Sequence, residues 1–444
     1  MKIIISGSGD VGFYLAKLLE REYQDITIID TEKEKLEYVQ TNLGILTVLG
    51  DSTSYKVLKE AGVKQADLLI SVTSDESTNI ATCLIGKKLG AKFTIARINN
   101  MEYLIDKKTL DLKDIGIDDL ISPESLAARE IKHILRSPVL TETFQVEGGS
   151  LEVMGLILDN QSPLNGQLVH GSMHESILDN FCMAAIHRNN TTIIPNASTI
   201  YNEGDQLYFV SLQNQKEQIL KYTGKKEFEI RNVLVIGGSR TGKYIALKLS
   251  KYYNIKVIEK DLSKCHYLAR HIPNVHIVHG DGTDVKLLQD EKVYDYDAVV
   301  SVTGNSETNI FTCLIAKEFG VKKTIAMVEN IGLFDYSHKM GIDTLINKKL
   351  AAANFIFRTI SKGGVFSHLH GVDAEVQEFI LSEKSKIIHK PLRKLQLPDN
   401  ALIGGVIRGG KGMMVNNDFM FEAGDKVFVF SLPENHKKVN TFFK

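Results

Sequence analysis

The chain has little of several things, and each shortage narrows what it can be. It has no excess of charge of either sign: 53 Lys and Arg stand against 54 Asp and Glu, for a net charge of −1. Nucleic-acid binding and docking on an anionic membrane surface both draw on a positive footprint, so neither is expected. No apolar run approaches the roughly 18–20 residues that span a bilayer. The N-terminus runs straight into a glycine motif and has no signal-peptide pattern. Cysteine is scarce: Cys83, Cys182, Cys265 and Cys313 are scattered and form no CxxC pair. That suits free thiols in a reducing cytoplasm, not a disulfide framework. What remains is a soluble globular composition, 43% hydrophobic and 24% charged over 444 residues. At about 150 residues per domain, the length asks for roughly three domains.

The chain repeats itself. SVTSDESTNIATCLIGKKLGAKFTIARI from Ser71 matches SVTGNSETNIFTCLIAKEFGVKKTIAMV from Ser301 without a gap, at an offset of 230 residues. The same offset carries Gly7 to Gly237, Gly12 to Gly242, Asp51 to Asp281 and Thr73 to Thr303. A period this long marks duplication of whole domains, not a solenoid. A second, weaker repeat pairs GDQLYFVSL at 204–212 with GDKVFVFSL at 424–432. The chain is therefore two copies of a large domain followed by a small one. The expected boundaries are 1–136, 137–224, 225–362 and 363–444.

Within the first large domain, short apolar runs (KIIISG, ITIID, ILTVLG, DLLISV, FTIARI) alternate with helical stretches. This predicts a doubly wound parallel sheet of Rossmann type. One helix is expected to start at Ser77 or Thr78 and to stop at Gly90. Another follows Ser122 as N-cap, with Pro123 at its first position. Its periodicity defines an apolar stripe but not whether the stripe packs on its own sheet or elsewhere. The small domains alternate with period two around turn signals and read as β-rich α+β units without a catalytic constellation.

The binding chemistry is concentrated in Gly7-Ser8-Gly9-Asp10-Val11-Gly12, a GxGxxG directly after a strand and opening a helix. The first glycine permits a tight turn, the second lets backbone approach a pyrophosphate, and the third packs helix on strand. The helix N-terminus adds free N–H groups and partial positive charge. Asp30 ends the next strand, where an acid takes ribose hydroxyls and favours NAD(H) over its 2′-phosphorylated form. The second copy reads Gly237-Gly238-Ser239-Arg240-Thr241-Gly242, with Glu259 for Asp30. Ser239 narrows the approach to a diphosphate, and Arg240 is placed either to pair a phosphate or to point into solvent. Asp51, Ser52, Thr73, Ser74 and Arg97 follow further strands toward the same crevice, as do Asp281 and Thr303 in the second copy. Asp51 and Asp281 are equally suited to capping the next helix, and Thr73 to satisfying loop backbone. His276 and His279 lie three apart in a strand, on opposite faces, which argues against a metal site. Cys83 and Cys313 fall in apolar helical stretches and read as packing.

GSGDVG, the acid ending strand two, GDST at 50–53, SVTSDESTN and the trailing small domain together resemble the RCK (KTN) regulators of potassium conductance. Two such units in one chain without a channel segment are similar to the Trk-type potassium-uptake regulators. The resemblance covers essentially the whole chain. It implies a non-catalytic nucleotide sensor for NAD(H) or ATP/ADP, acting at the cytoplasmic face of the membrane. Its partner would be a potassium transporter subunit of TrkH/TrkG kind, and its assembly a ring-like homotetramer. An NAD-dependent oxidoreductase of Rossmann type is the competing expectation.

Overall fold

The computed structural model describes all residues except 21–24, 101, 106–111, 147–148, 170–179, 190, 197, 331–332, 334–339, 361–364, 369–374 and 444. The expected boundary at 362/363 therefore lies outside the described residues. The first sheet holds β1 (Lys2–Ser6), β2 (Asp25–Asp30), β3 (Leu46–Leu49), β4 (Leu68–Ser71), β5 (Phe93–Arg97) and β6 (Asp119–Ile121). Its order is β3-β2-β1-β4-β5-β6, and its pairings are parallel. This is the doubly wound order, with its reversal between β1 and β4. Helices α1 (Asp10–Glu20), α2 (Lys33–Leu43), α3 (Tyr55–Glu60), α4 (Glu76–Leu89), α5 (Glu102–Ile105) and α6 (Pro123–Arg136) make or follow the crossovers. Ile3, Ile4 and Ile5 are all fully buried, because helices cover both faces of a parallel sheet.

Helix α4 starts earlier than Ser77 or Thr78. Asp75 is its N-cap, and the Asp75 carboxylate accepts from the Thr78 N–H at 2.7 Å. The aspartate reaches the third N–H of the helix, and the two later residues are drawn into its first turn. Asn305 caps the matching Ser306–Glu318 helix in the same way, accepting from the Thr308 N–H at 2.6 Å. Gly90 ends α4 with φ near +121°, as expected. Ser122 precedes α6 with its side chain buried, its Oγ accepting from the Ser125 N–H at 3.3 Å.

The second parallel sheet repeats the first: β12 (Asn232–Ile236), β13 (Asn254–Glu259), β14 (His276–His279), β15 (Ala298–Ser301), β16 (Lys323–Met327) and β17 (Thr344–Ile346), in the order β14-β13-β12-β15-β16-β17. The small domains are antiparallel five-stranded sheets. The first comprises β7 (Glu142–Val146), β8 (Leu151–Ile157), β9 (Phe181–Arg188), β10 (Thr191–Ile193) and β11 (Gln206–Leu212), ordered β10-β9-β11-β8-β7. The second comprises β18 (Val365–His368), β19 (Glu375–Ile380), β20 (Ala401–Arg408), β21 (Lys411–Met413) and β22 (Lys426–Ser431), with the same order read from the other edge. β9 and β10 pair antiparallel, with Thr191 opposite Arg188. Among the described residues, no helix is long and apolar enough to cross a membrane.

The chain forms two compact units, and they do not follow the repeat. One consists of residues 1–130, 239–248 and 346–360; the other of 131–238, 249–345 and 361–444. In the first unit, the helices Arg240–Leu249 and Lys348–Ile360 of the second repeat join the first parallel sheet, and the latter packs along α1. In the second unit, the two small sheets share a core: Val153, Tyr208 and Val210 pack with Val376, Phe428 and Phe430.

Each small domain also carries the same buried ion pair. Arg188 grips the fully buried Asp205 with two bonds of 2.6 Å, and Arg408 grips the fully buried Asp425 at 2.7 and 2.8 Å. Both aspartates also accept a main-chain N–H, from Asn202 and Glu422 respectively. These are the aspartates of the Gly-Asp turns that repeat in sequence. Removing one partner leaves the other charge uncompensated, which costs about 3–5 kcal/mol. Asp205→Ala and Asp425→Ala should each lower the thermal unfolding midpoint sharply, whereas alanine at the exposed Glu203 should leave it unchanged. Equal midpoints for all three in calorimetry would rule out this role for the pair.

Candidate functional site: two glycine turns at the strand reversals

Between β1 and α1 the chain turns at Gly7, whose φ is +101° and whose N–H donates to the Ile29 carbonyl at 2.8 Å. A Cβ there would lie 2.9 Å from the Thr73 nitrogen, so only glycine fits. Gly12 is equally constrained: a Cβ would stand 1.9 Å from the Gly7 oxygen. Gly9 is different, since a Cβ on it would meet nothing within 4 Å. The backbone at Gly9 thus faces open space, and the first-turn N–H groups of α1, which have no intrahelical acceptor, follow it. Asp10 is exposed at the start of α1 and ion-paired with Lys349, while Val11 is buried beneath it.

Asp30 sits beside this turn and holds it. Its Oδ2 accepts from both the Ser8 N–H (2.6 Å) and the Ser8 hydroxyl (2.7 Å), and its Oδ1 accepts from the Glu32 N–H at 3.0 Å. Partial burial pushes the carboxyl pKa up, but the Ser8 and Glu32 hydrogen bonds and the charge of Lys35 outweigh it and hold it below the ordinary value. An ionised carboxylate has about four acceptor positions, so ribose hydroxyls remain within its capacity. The second copy has the same join: Gly237 has φ of +101°, its N–H donates to Ile258 at 2.8 Å, and Glu259 accepts from the Gly238 and Asp261 N–H groups at 2.5 and 2.7 Å. Ser239 occupies the place of the open Gly9, Arg240 is exposed at its helix start, and Thr241 is buried.

The other strand ends divide. Asp51 is exposed and holds its own turn, accepting from the Thr53 N–H and hydroxyl at 2.8 Å each. It does not cap α3, whose N-cap is Ser54. Asp281 makes the matching bonds to Thr283, and Lys260 at 2.8 Å helps bring its pKa down to about 2. The Ser52 hydroxyl faces inward, bonded to Ser6 at 2.7 Å and Thr82 at 2.9 Å. Ser74 is exposed. Arg97 ends β5 with its Nε buried and without a hydrogen-bond partner; burial lowers its pKa, Glu124 opposes that, and Arg240 adds to it.

Asn79 was not singled out from sequence, yet it organises this corner. Buried in α4, it accepts through Oδ1 from Ser71 Oγ, Thr73 N and Thr73 Oγ1 at 2.7–3.0 Å, and donates through Nδ2 to the carbonyls of Thr73 and Arg97. Asn309 does the same with Ser301, Thr303 and Met327. The Thr73 and Thr303 hydroxyls are therefore committed to the loop. The available signal was an asparagine six residues after the threonine in both copies. Cys83 and Cys313 are fully buried, and desolvation raises both thiols, that of Cys313 to about 12. Cys182 is only partly buried. His276 and His279 are both exposed. Among the described residues, no three His, Cys, Asp or Glu side chains cluster to hold a metal.

Fold and site together define a class: a tandem of dinucleotide-type folds, each trailed by a small antiparallel domain. Residues 3–123 and 233–348 match the TrkA-N domain, and residues 376–444 match the TrkA-C domain. The chain is 31% identical, over all of both chains, to Trk system potassium uptake protein TrkA homolog 1 of Methanosarcina mazei. It is 30% identical to Trk system potassium uptake protein TrkA of Halomonas elongata, over 97% of this chain and 95% of that one. The chain belongs to the TrkA family. Among solved structures, the fold is shared with the GsuK channel bound to NAD, at a TM-score of 0.60 and 16% identity over all of this chain and 78% of that one.

The hydrogen bonds from Ser8 to Asp30 make a pH prediction. Because the folded pKa is depressed, their stabilisation is complete well above the ordinary value of 3.8 and is lost as pH falls through the folded value. Wild type should therefore exceed Asp30→Asn in stability by a constant margin from neutral pH to about pH 5, and the margin should close below 3.8. A margin that widened in acid, followed by denaturant unfolding, would contradict this account.

Proposed function

We propose that this chain is a nucleotide-sensing regulatory subunit of a membrane potassium-uptake transporter. The observation that carries the reading is the Gly7–Val11 turn, with Gly9 open, Ser8 clamped by Asp30 and a helix N-terminus behind it. Such a turn binds phosphate through main-chain amides and needs no bond to be made or broken. The names of the relatives support the potassium-uptake assignment, and the fold neighbour described as bound to NAD supports the nucleotide class. The ligand of the first crevice is NAD(H), or ATP/ADP, held by Gly7, Ser8, Gly9, Asp10 and Val11, with Asp30 toward ribose and Asp51, Thr73, Ser74 and Arg97 around it. The second crevice, narrowed by Ser239, is suited to a different nucleotide. The domains divide at 136/137, 224/225 and 362/363. The protein acts peripherally at the cytoplasmic face as a homotetramer on a TrkH/TrkG-like subunit.

The mechanism is a ligand-biased switch. A ligand shifts two states only through its different affinity for them. Moving a gate from 1:99 to 99:1 takes about 5.5 kcal/mol, and a tenfold preference supplies about 1.4 kcal/mol per site. About four coupled sites suffice, which an oligomer of two-site chains provides. An NAD-dependent oxidoreductase would instead bring a base or electrophile to the nicotinamide; steady hydride transfer to bound cofactor would favour it.

Two outcomes are expected. Gly9→Ala has room in the fold, so it should melt like wild type without nucleotide yet bind NAD(H) or ADP at least about tenfold more weakly by calorimetry; undiminished affinity would remove the main-chain phosphate site. Gly12→Ala, aimed at the Gly7 oxygen, should lose stability first. The second outcome concerns coupling. Nucleotide affinity should change in the presence of the membrane transporter by the same factor that nucleotide changes transporter affinity. An affinity indifferent to the transporter would end the switch proposal.

A further inference from the structure

Four charged residues stand at matched places on four helices of the first compact unit. Asp10 and Arg240 are each the first residue of the helix that follows a glycine turn. Glu124 and Lys349 are each the second residue of the helix that follows the last strand of a parallel sheet. The signs are reversed between the repeats: the first copy contributes two acids and the second two bases. Lys349 forms an ion pair with Asp10, and its helix packs along α1. The other two helices also meet, the Ser125 hydroxyl of α6 donating to the Tyr244 hydroxyl at 3.1 Å, about one turn from Arg240. Glu124 is buried with one carboxylate oxygen lacking a hydrogen-bond partner, and both Glu124 and Arg240 act on the charge of Arg97. A base in the first turn opposes the helix dipole. Arg240 and Lys349 therefore do not serve their own helices.

We infer that this reversal is a pairing code by which the first large domain selects the second large domain over another copy of itself. A pair of first domains would set Asp10 against Glu124 twice, and a pair of second domains would set Arg240 against Lys349 twice. Only the mixed pair puts Asp10 on Lys349 and brings Arg240, with Glu124, into the field of Arg97, where the acid offsets the two guanidinium groups. Specificity here comes as much from the repulsion in the wrong pairs as from the attraction in the right one.

The test uses the full-length chain, free of nucleotide, so that its result is independent of the binding proposal. Asp10→Lys and Lys349→Asp should each lower the unfolding midpoint by about 2–4 °C. The double reversal should recover at least half of the combined loss, and the recovery should shrink in 1 M salt. A double variant that loses the sum of the singles overturns the code. Because reversal of the buried Glu124 risks misfolding, that pair is read with Glu124→Gln and Arg240→Gln, where additive losses again overturn the code. Partner choice is read by light scattering on two further variants, one carrying Arg240→Asp with Lys349→Glu and one carrying Asp10→Lys with Glu124→Gln, each first shown by circular dichroism to be folded. Each alone should fail to form the wild-type species, and a 1:1 mixture should form a joint complex. Wild-type species from either alone, or no complex on mixing, would overturn the inference.

Discussion

A carboxylate at the end of each second strand holds the turn that follows each first strand. Asp30 takes the Ser8 N–H and hydroxyl, and Glu259 takes the Gly238 N–H. Glycine-rich backbone is entropically expensive to fix, at about 1–2 kcal/mol per residue, and this bond fixes it before any ligand arrives. That pre-organisation requires β2 beside β1, hence the reversal of strand order, hence the crevice at that edge of the sheet. The buried asparagines set the opposite wall, tying the loop after β4 to the end of β5 through one side chain. The acid that sequence motifs associate with ribose is, in the free protein, first a structural residue.

Much of this was legible beforehand. The glycine motif lies between a strand and a helix whose periods differ, and the repeat at fixed offset identified both copies at once. Local chemistry of that kind is written in consecutive residues. What escaped depends on geometry between distant ones. Ser52 looked like a crevice residue by its place after β3, yet its hydroxyl bonds to Ser6 and Thr82 inside the sheet. Helix α4 begins at Glu76 because Asp75 reaches forward to Thr78, a competition between caps that spacing alone does not resolve. The stripe read on the helix after Ser122 did not name what it packs on, and its counterpart in the second repeat, Lys348–Ile360, packs on α1 of the other repeat.

The small domains follow the same principle. Their alternating pattern announced a sheet with one apolar face, and two such sheets in one chain can cover each other. Tyr208 and Phe428 meet in a single core, so neither face is left to water. The aspartates of the Gly-Asp turns bring a charge into full burial, which is tolerable only because a bidentate arginine and a main-chain N–H meet it.

Duplication within one chain has a consequence that assembly from identical copies lacks. Identical subunits must present identical turns, so a ligand that fits one fits all. Here Gly9 and Ser239 differ at the same place in the turn, while Asp30 and Glu259 keep the same clamp. The two turns can diverge at that residue without either losing its architecture, because the clamp and not the variable residue shapes the turn. Divergence is useful only if unlike domains stay paired; otherwise assemblies of like domains would average the sites away. Opposite charges at equivalent helix ends meet that need at positions where a single change of sign suffices. Under the regulatory reading, the two turns then report on two ligands to one assembly, and their difference is the quantity the chain has to convey.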